Sequence, residues 1–299
     1  MKKDWIAIDW GTSNFRAFLM NENLCTDSIS APCGLMQVRD RQFAAALQPL
    51  IQPWLDRCTS LPVLMAGMVG SQQGWREVPY VTLPVGYQQL AQHVVAVPTP
   101  WGSPCQIVPG AIGNNASGLP DVMRGEEVQL VGLAALYPQR EHHVILPGTH
   151  SKHAVLHHGK IRCFSTFMTG EIYAVMLSHS LLGRDLPQAT EENTAFALGV
   201  KNAQHAPCLS NALFSARTLR LNDTLAPDQI ASYLSGLLIG AELRELPQNE
   251  AWIVGSPELT ERYTRAGHLL DITLYAADGN DCFTRGMSLI YQSLDGEIV

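Results

Sequence analysis

The chain has 299 residues, of which 46% are hydrophobic and 16% charged, and a formal charge of -7. That length exceeds the usual size of one core, so two domains are expected, and the net acidity argues against a nucleic-acid coat or an anionic membrane surface, which reward clustered Lys and Arg. A small-molecule substrate fits better.

Cys25, Cys33, Cys58, Cys105, Cys163, Cys208 and Cys282 are scattered, odd in number and free of Cys-x-x-Cys spacing, so neither a zinc knuckle nor a disulfide framework is suggested and a reducing cytoplasm is the expected setting. Met1-Lys2-Lys3-Asp4 leads into no targeting-type apolar run, and no segment reaches the ~18 to 20 apolar residues needed to span a bilayer. A soluble, unprocessed protein is expected.

Alternating runs at 4–10 and 15–20 flank Gly11-Thr12-Ser13-Asn14, a turn composition that leaves backbone N–H groups and two hydroxyls facing outward. Such a turn suits phosphoryl oxygens, and Asp9 closes the first strand where a carboxylate can hold magnesium beside a nucleotide's terminal phosphates. Taken alone, the segment is equally an ordinary hairpin with a solvated aspartate. A helix over 39–55 follows, with Phe43, Leu47, Leu50, Ile51 and Leu55 at helical spacing, and then a buried strand over 61–67. Residues 74–120 read as short strands, such as 94–97 and 106–108, tied by loops rich in Pro and Gly.

A helix over 125–137 precedes a second hairpin candidate with strands at 143–147, 154–157 and 160–164. Helices are expected at 170–183, 191–205, 208–217 and 227–246, the last with Pro227 at a first helical position. A strand at 252–254, a helix from Pro257, a strand at 272–275 and a helix over 281–294 complete the chain. The domain boundary is set near residue 122, giving domains 1–122 and 123–299.

The second hairpin carries Pro147-Gly148-Thr149-His150-Ser151-Lys152, again an apolar strand running into a glycine and hydroxyl-bearing turn. Lys152 could offset phosphate charge, and Thr149 and Ser151 could donate to it. His150 and His153 lack the third ligand expected of a metal site and read as ordinary hydrogen-bonding or surface groups. A third element, Val254-Gly255-Ser256-Pro257, ends a buried strand and starts a helix, which puts free N–H groups and a positive helix end beside any ligand; a routine strand-to-helix connection has the same look.

In this order, with a helix between the first two, these pieces resemble the sugar kinase, heat-shock-70 and actin superfamily of ATP-binding folds. The resemblance matches 6–20 to the first phosphate motif, 125–136 to the first connecting helix, 145–161 to the second phosphate motif, 253–266 to the adenosine motif and 284–290, with Gly286, to the second connecting helix. A more specific likeness runs the length of the chain. Asp9-Trp10-Gly11-Thr12-Ser13-x-x-Arg16, Ala66-Gly67-Met68-Val69-Gly70-Ser71-x-x-Gly74-Trp75, Arg124-Gly125-Glu126-Glu127, Leu146-Pro147-Gly148-Thr149-His150-Ser151-Lys152 and Phe167-Met168-Thr169-Gly170-Glu171 are similar to the 2-dehydro-3-deoxygalactonokinase family.

That resemblance implies an α/β protein with two ribonuclease-H-like domains of the actin-like ATPase fold and an interdomain active-site cleft. The substrate side would be N-terminal and the nucleotide side C-terminal, with the last helix packing back toward the cleft. It also implies ATP and Mg2+, and phosphorylation of the 6-hydroxyl of 2-dehydro-3-deoxy-D-galactonate in galactonate catabolism. The phosphates would fall to Asp9, Gly11, Thr12, Ser13, Gly148, Thr149, Ser151 and Lys152, the adenosine to Gly255 and Ser256, and the metal to Asp9.

The base that takes the hydroxyl proton is normally a carboxylate near the start of the first connecting helix, which leaves Glu126, Glu127 and Asp121 as candidates. Related sugar kinases carry aspartate there, and this chain carries glutamate. Acidic residues at that place also simply favour a helix N-terminus. The substrate's own carboxylate calls for a cation, and Arg16 and Arg124 flank the proposed chemistry, unless either serves an ordinary ion pair. Gly70 and Ser71 offer donors to a polyhydroxylated chain, with Trp75 as an aromatic wall or as plain core. Two other readings stay open: a different small-acid kinase such as a type III pantothenate kinase, and a sugar or nucleotide sensor without catalysis. So does a homo-oligomer.

Overall fold

The computed structural model describes residues 4–57, 60–188 and 192–295. Cys58 and the first residue of the helix expected over 191–205 lie outside them. The chain groups into two compact units, one drawn from 1–142, 154–165 and 278–299, the other from 143–153 and 166–277.

In the first unit β1 (Asp4–Trp10), β2 (Phe15–Asn21) and β3 (Leu24–Ala31) form an antiparallel meander. The register sets Asp9 directly opposite Arg16. β3 has no counterpart in the hydropathy pattern because it is a mostly exposed edge strand. The helix expected from residue 39 begins later, as α1 (Phe43–Leu55), since Asp40 and Arg41 take φ of 50° and 55°, outside the helical region. Phe43, Leu47, Ile51, Trp54 and Leu55 make its buried stripe, which outweighs Pro49 and Pro53 within it.

β4 (Val63–Gly67) is buried throughout and lies parallel to β1, as its unbroken apolar sequence requires. Then come β5 (Val81–Thr82), α2 (Tyr87–Gln92), β6 (Val95–Val97), β7 (Cys105–Ile107), β8 (Ala111–Asn114), β9 (Pro120–Met123) and α3 (Glu126–Leu136). One sheet has the order β3-β2-β1-β4-β7-β6 and a smaller one the order β5-β8-β9.

The remaining elements are β10 (Glu141–Leu146), β11 (Ser151–His157), β12 (Lys160–Phe167), α4 (Thr169–His179), α5 (Asn193–His205), α6 (Leu209–Leu221), α7 (Ile230–Leu243), β13 (Glu250–Gly255), α8 (Pro257–Leu269), β14 (Thr273–Asp278) and α9 (Gly279–Asp295). A third sheet has the order β12-β11-β10-β13-β14. α3 and α9 both follow residue 122 and both pack in the first unit. They approach so closely that a Cβ on Gly132 would lie 1.8 Å from the Cys282 carbonyl oxygen and one on Gly286 2.0 Å from that of Val128. α9 is anchored further by Tyr291, stacked on Trp5 at 4.3 Å.

The second unit is built around α7, buried on nearly every face, against α5 and α8. β10 and β13 run parallel there, with Val144 beside Trp252 and Ile145 beside Ile253. No described helix is long and apolar enough to cross a membrane.

Candidate active site

In the first unit the C-terminal ends of parallel β1 and β4 meet the start of α3. Gly67 ends β4 at φ 93°, and a Cβ there would lie 2.8 Å from the Trp10 carbonyl oxygen and 3.2 Å from Asp9 Oδ1. Gly125 precedes α3 at φ 110°, and a Cβ on it would lie 3.3 Å from the Gly67 Cα. These two left-handed glycines let Asp9 and the Glu126-Glu127 pair converge where an open parallel sheet places its ligand, beyond the strand ends.

Asp9 is half-buried and ion-paired with Arg16 across the hairpin; Arg16 also donates to Asn280 Oδ1 at 2.7 Å. The turn between them is closed by the Gly11 N–H on the Asn14 carbonyl at 2.9 Å. It is braced by 34–36, whose N–H groups reach the carbonyls of Ser13, Gly11 and Thr12. Thr12 and Ser13 themselves stay exposed.

At the α3 N-terminus Glu126 is half-buried and accepts the Arg124 N–H at 3.0 Å. Glu127 is fully buried and accepts the Gly125 N–H on both oxygens. Burial foremost, and the neighbouring Glu126 carboxylate second, push its pKa up to about 8 against the opposing Gly125 hydrogen bond. Asp121 lies on β9 with its carboxylate accepting the Val122 N–H at 2.8 Å.

Arg124 gives one guanidinium nitrogen to the Val78 carbonyl at 2.8 Å and lies 4.3 Å over the Tyr80 ring. Its Nε and Nη1, and the hydroxyl of Ser71, are buried without hydrogen-bond partners. Gly70 belongs to the same spot, since a Cβ there would sit 2.9 Å from Arg124 Nη1. Donors left unpaired in this way cost about 1–3 kcal/mol each, which a polar ligand would offset. Trp75 stacks on Phe43 at 6.3 Å and packs against the first unit's core.

In the second unit the turn at Gly148-Thr149-His150 joins β10 to β11 and is backed by the start of α4. A Cβ on Gly170 would lie 2.4 Å from the Gly148 carbonyl oxygen, and the Glu171 N–H donates to the Thr149 carbonyl at 2.9 Å. His150 pairs with the Glu171 carboxylate. Ser151 and Lys152 turn inward instead of lining the turn: Ser151 donates to Glu242 Oε1 at 2.6 Å, and the Lys152 ammonium donates to the Thr166 hydroxyl at 2.8 Å. Gly255 abuts Pro147 at the parallel end of β13, and Ser256 caps α8 by accepting the Leu259 N–H at 3.4 Å.

A pocket with a cavity volume of about 60 Å³, partly open to solvent, lies beside this turn. Gly148, Thr169, Gly170, Tyr173, Ser235, Leu238, Ile239, Leu259, Arg262 and Tyr263 line it. Of these, Gly148 belongs to the second phosphate motif, Thr169 and Gly170 to the motif over 167–171, and Leu259, Arg262 and Tyr263 to the 253–266 stretch matched to the adenosine motif, whereas Tyr173, Ser235, Leu238 and Ile239 carry no motif. The pocket is assembled from α4, α7 and α8, and only the α7 wall has no motif in the sequence.

The profile of the 2-keto-3-deoxy-galactonokinase family matches residues 9–290. The chain is 34% identical to 2-dehydro-3-deoxygalactonokinase of Escherichia coli K12, over 97% of this chain and 98% of that one. A Sinorhizobium meliloti protein assigned as a 2-dehydro-3-deoxygalactonokinase, solved by crystallography, superposes with a TM-score of 0.88 at 30% identity, covering 97% of this chain and 96% of that one. The activator of 2-hydroxyisocaproyl-CoA dehydratase from Clostridium difficile, solved with bound ADPNP, shares the fold alone, with a TM-score of 0.51 at 10% identity over 98% and 97% of the two chains. The architecture is the α/β fold of the actin-like ATPases. With a match across nearly its whole length, the chain belongs to the 2-keto-3-deoxy-galactonokinase family.

Proposed function

We propose that this protein transfers the γ-phosphoryl group of ATP to the 6-hydroxyl of 2-dehydro-3-deoxy-D-galactonate, giving the 6-phosphate and ADP in galactonate catabolism. The observation that carries this reading is the 34% identity to the Escherichia coli enzyme of that name across 97% of the chain. The free cysteines among the described residues, Cys25 through Cys282, support a reducing cytoplasm as its setting.

The sugar acid's carboxylate is assigned to Arg124, a permanent cation whose Nε and Nη1 are buried without partners, with Ser71 donating beside it. Glu126 is the base, because it is the carboxylate of the α3 pair that solvent, and so a substrate hydroxyl, can reach. Glu127 is buried and serves to hold the Gly125 N–H, and with it the turn that aims Glu126. Arg16 keeps Asp9 oriented through their ion pair instead of meeting the substrate.

ATP's adenosine end is assigned to the second unit's pocket, whose Tyr173, Leu238, Ile239 and Leu259 offer an apolar slot. Its phosphates fall to Gly148-Thr149 there. Gly255 and Ser256 are assigned to the adenosine side, at the β13-to-α8 connection where Ser256 caps α8.

No cluster of three or more His, Cys, Asp or Glu suited to a metal occurs among the described residues. Magnesium in kinase sites keeps several waters and takes one or two protein carboxylates, so Asp9 alone fits as its protein anchor. When bound there it would neutralise charge on the transferring phosphoryl group.

Incubation with ATP and 2-dehydro-3-deoxy-D-galactonate, followed by phosphorus NMR of the product, tests the reading. A phosphomonoester on carbon 6 is expected; no sugar phosphate, or phosphate elsewhere, contradicts it.

A further inference from the structure

Glu242 is a charged residue near the end of α7, a helix otherwise apolar or small from Ile230 to Leu243, and it is 3% exposed. Its carboxylate is fully engaged. Oε1 accepts the Ser151 hydroxyl at 2.6 Å and His153 Nε2–H at 2.9 Å, while Oε2 accepts the Tyr263 hydroxyl at 2.7 Å and the Thr169 hydroxyl. A carboxylate has about four lone-pair sites, and four donors occupy them. Burial alone would favour the protonated acid, but the hydrogen bonds from His153, Ser151 and Thr169 overcome it and hold the group below its ordinary value, so it stays ionised.

The four donors come from three places that the nucleotide reading joins. Ser151 and His153 begin β11, directly after the Gly148-Thr149 turn. Thr169 starts α4, and Tyr263 lies on α8, and both line the pocket. α4 also backs the turn, through Gly170 against Gly148. One buried anion therefore ties the phosphate turn to two walls of the pocket.

We propose that Glu242 is the positioning residue of the nucleotide site: its carboxylate fixes Thr169, Tyr263 and the start of β11 in the arrangement that binds ATP. It touches no reacting atom. The inference rests on the assignment of this pocket to the adenosine end of ATP.

The test is Glu242→Gln, studied by thermal unfolding, ADP binding calorimetry and steady-state kinetics with each substrate varied. An amide presents an NH2 group to donors that need an acceptor, so the Kd for ADP and the KM for ATP rise ~10-fold or more. kcat at saturating ATP and KM for the sugar acid stay within ~3-fold, because the substrate residues of the first unit are untouched. Thr169→Val and Tyr263→Phe each delete one donor and raise the ADP Kd severalfold, and Thr169→Ser, which keeps the hydroxyl, restores it.

A folded Glu242→Gln protein with wild-type ADP affinity overturns the inference, as does an equal rise in both KM values. If Glu242→Gln does not fold, Thr169→Val and Tyr263→Phe decide: unchanged ADP affinity in both overturns it. Leu259→Trp, which fills the pocket and removes none of the four donors to Glu242, separates the two layers. Should Leu259→Trp leave ADP binding intact, the pocket assignment is wrong; should it abolish binding while Glu242→Gln does not weaken it, only the role of Glu242 falls.

Discussion

Glu127 accepts the Gly125 N–H on both of its carboxylate oxygens, at 2.9 and 2.7 Å, from a fully buried position. Burial keeps its proton on up to about pH 8, whereas the unfolded chain releases it near the ordinary value of 4.5. Between those limits the folded state holds the proton and the unfolded state does not, so stability is greatest below the lower limit and is lost as pH rises toward 8. The slope is at most about 1.4 kcal/mol per pH unit for one proton. Urea unfolding from pH 5 to 8 is expected to show this decline in the wild type and a flatter profile in Glu127→Gln; equal slopes would exclude the buried acid.

Glu126→Gln removes the proposed base and leaves an amide of the same shape. kcat is expected to fall ~10²-fold or more, with KM for both substrates and the melting temperature close to wild type. Stopped-flow or ADP-release kinetics distinguish this from Asp121→Asn, for which turnover near wild type is expected because its carboxylate is on β9 with the Val122 N–H.

Arg124→Lys replaces a fork with a point charge. KM for the sugar acid is expected to rise ~10-fold or more while KM for ATP is unchanged, since one ammonium cannot both hold the Val78 carbonyl and donate to the carboxylate as the spread guanidinium nitrogens do. Unaltered KM for the sugar acid would reassign the carboxylate to another group.

Gly67→Ala tests the close approach at the strand ends. An alanine at φ 93°, with its Cβ 2.8 Å from the Trp10 carbonyl oxygen, is expected to cost about 1–3 kcal/mol of stability for the backbone strain alone. It should also lower kcat, because Asp9 Oδ1 is the next atom in the way. A melting temperature and kcat both equal to wild type would contradict the packing described.

Much of the first unit was legible from local pattern. β4 is a continuous apolar run, β1 is buried on both faces from Trp5 to Ile8 in place of the expected alternation, and Gly11-Thr12-Ser13, like Gly148-Thr149 and Gly255-Ser256 of the second unit, carries turn residues at a strand end. β3 and α2 escaped because one is an exposed edge and the other a single short helix. Ser151 and Lys152 look like ligands of the turn in one dimension, yet both are buried at the start of β11. Glu242 was not read at all. Its signal was a lone carboxylate in an apolar helix, which has meaning only once Ser151, His153, Thr169 and Tyr263, distant in the chain, are brought to it.

The measurement that bears most directly on the central claim is kcat/KM for ADP release by the purified protein with ATP, magnesium and a panel of 2-dehydro-3-deoxy sugar acids that includes the galactonate and gluconate epimers. The account predicts efficient turnover of the galactonate compound, preferred over its epimer, and none without a sugar acid. Turnover of neither epimer would contradict it.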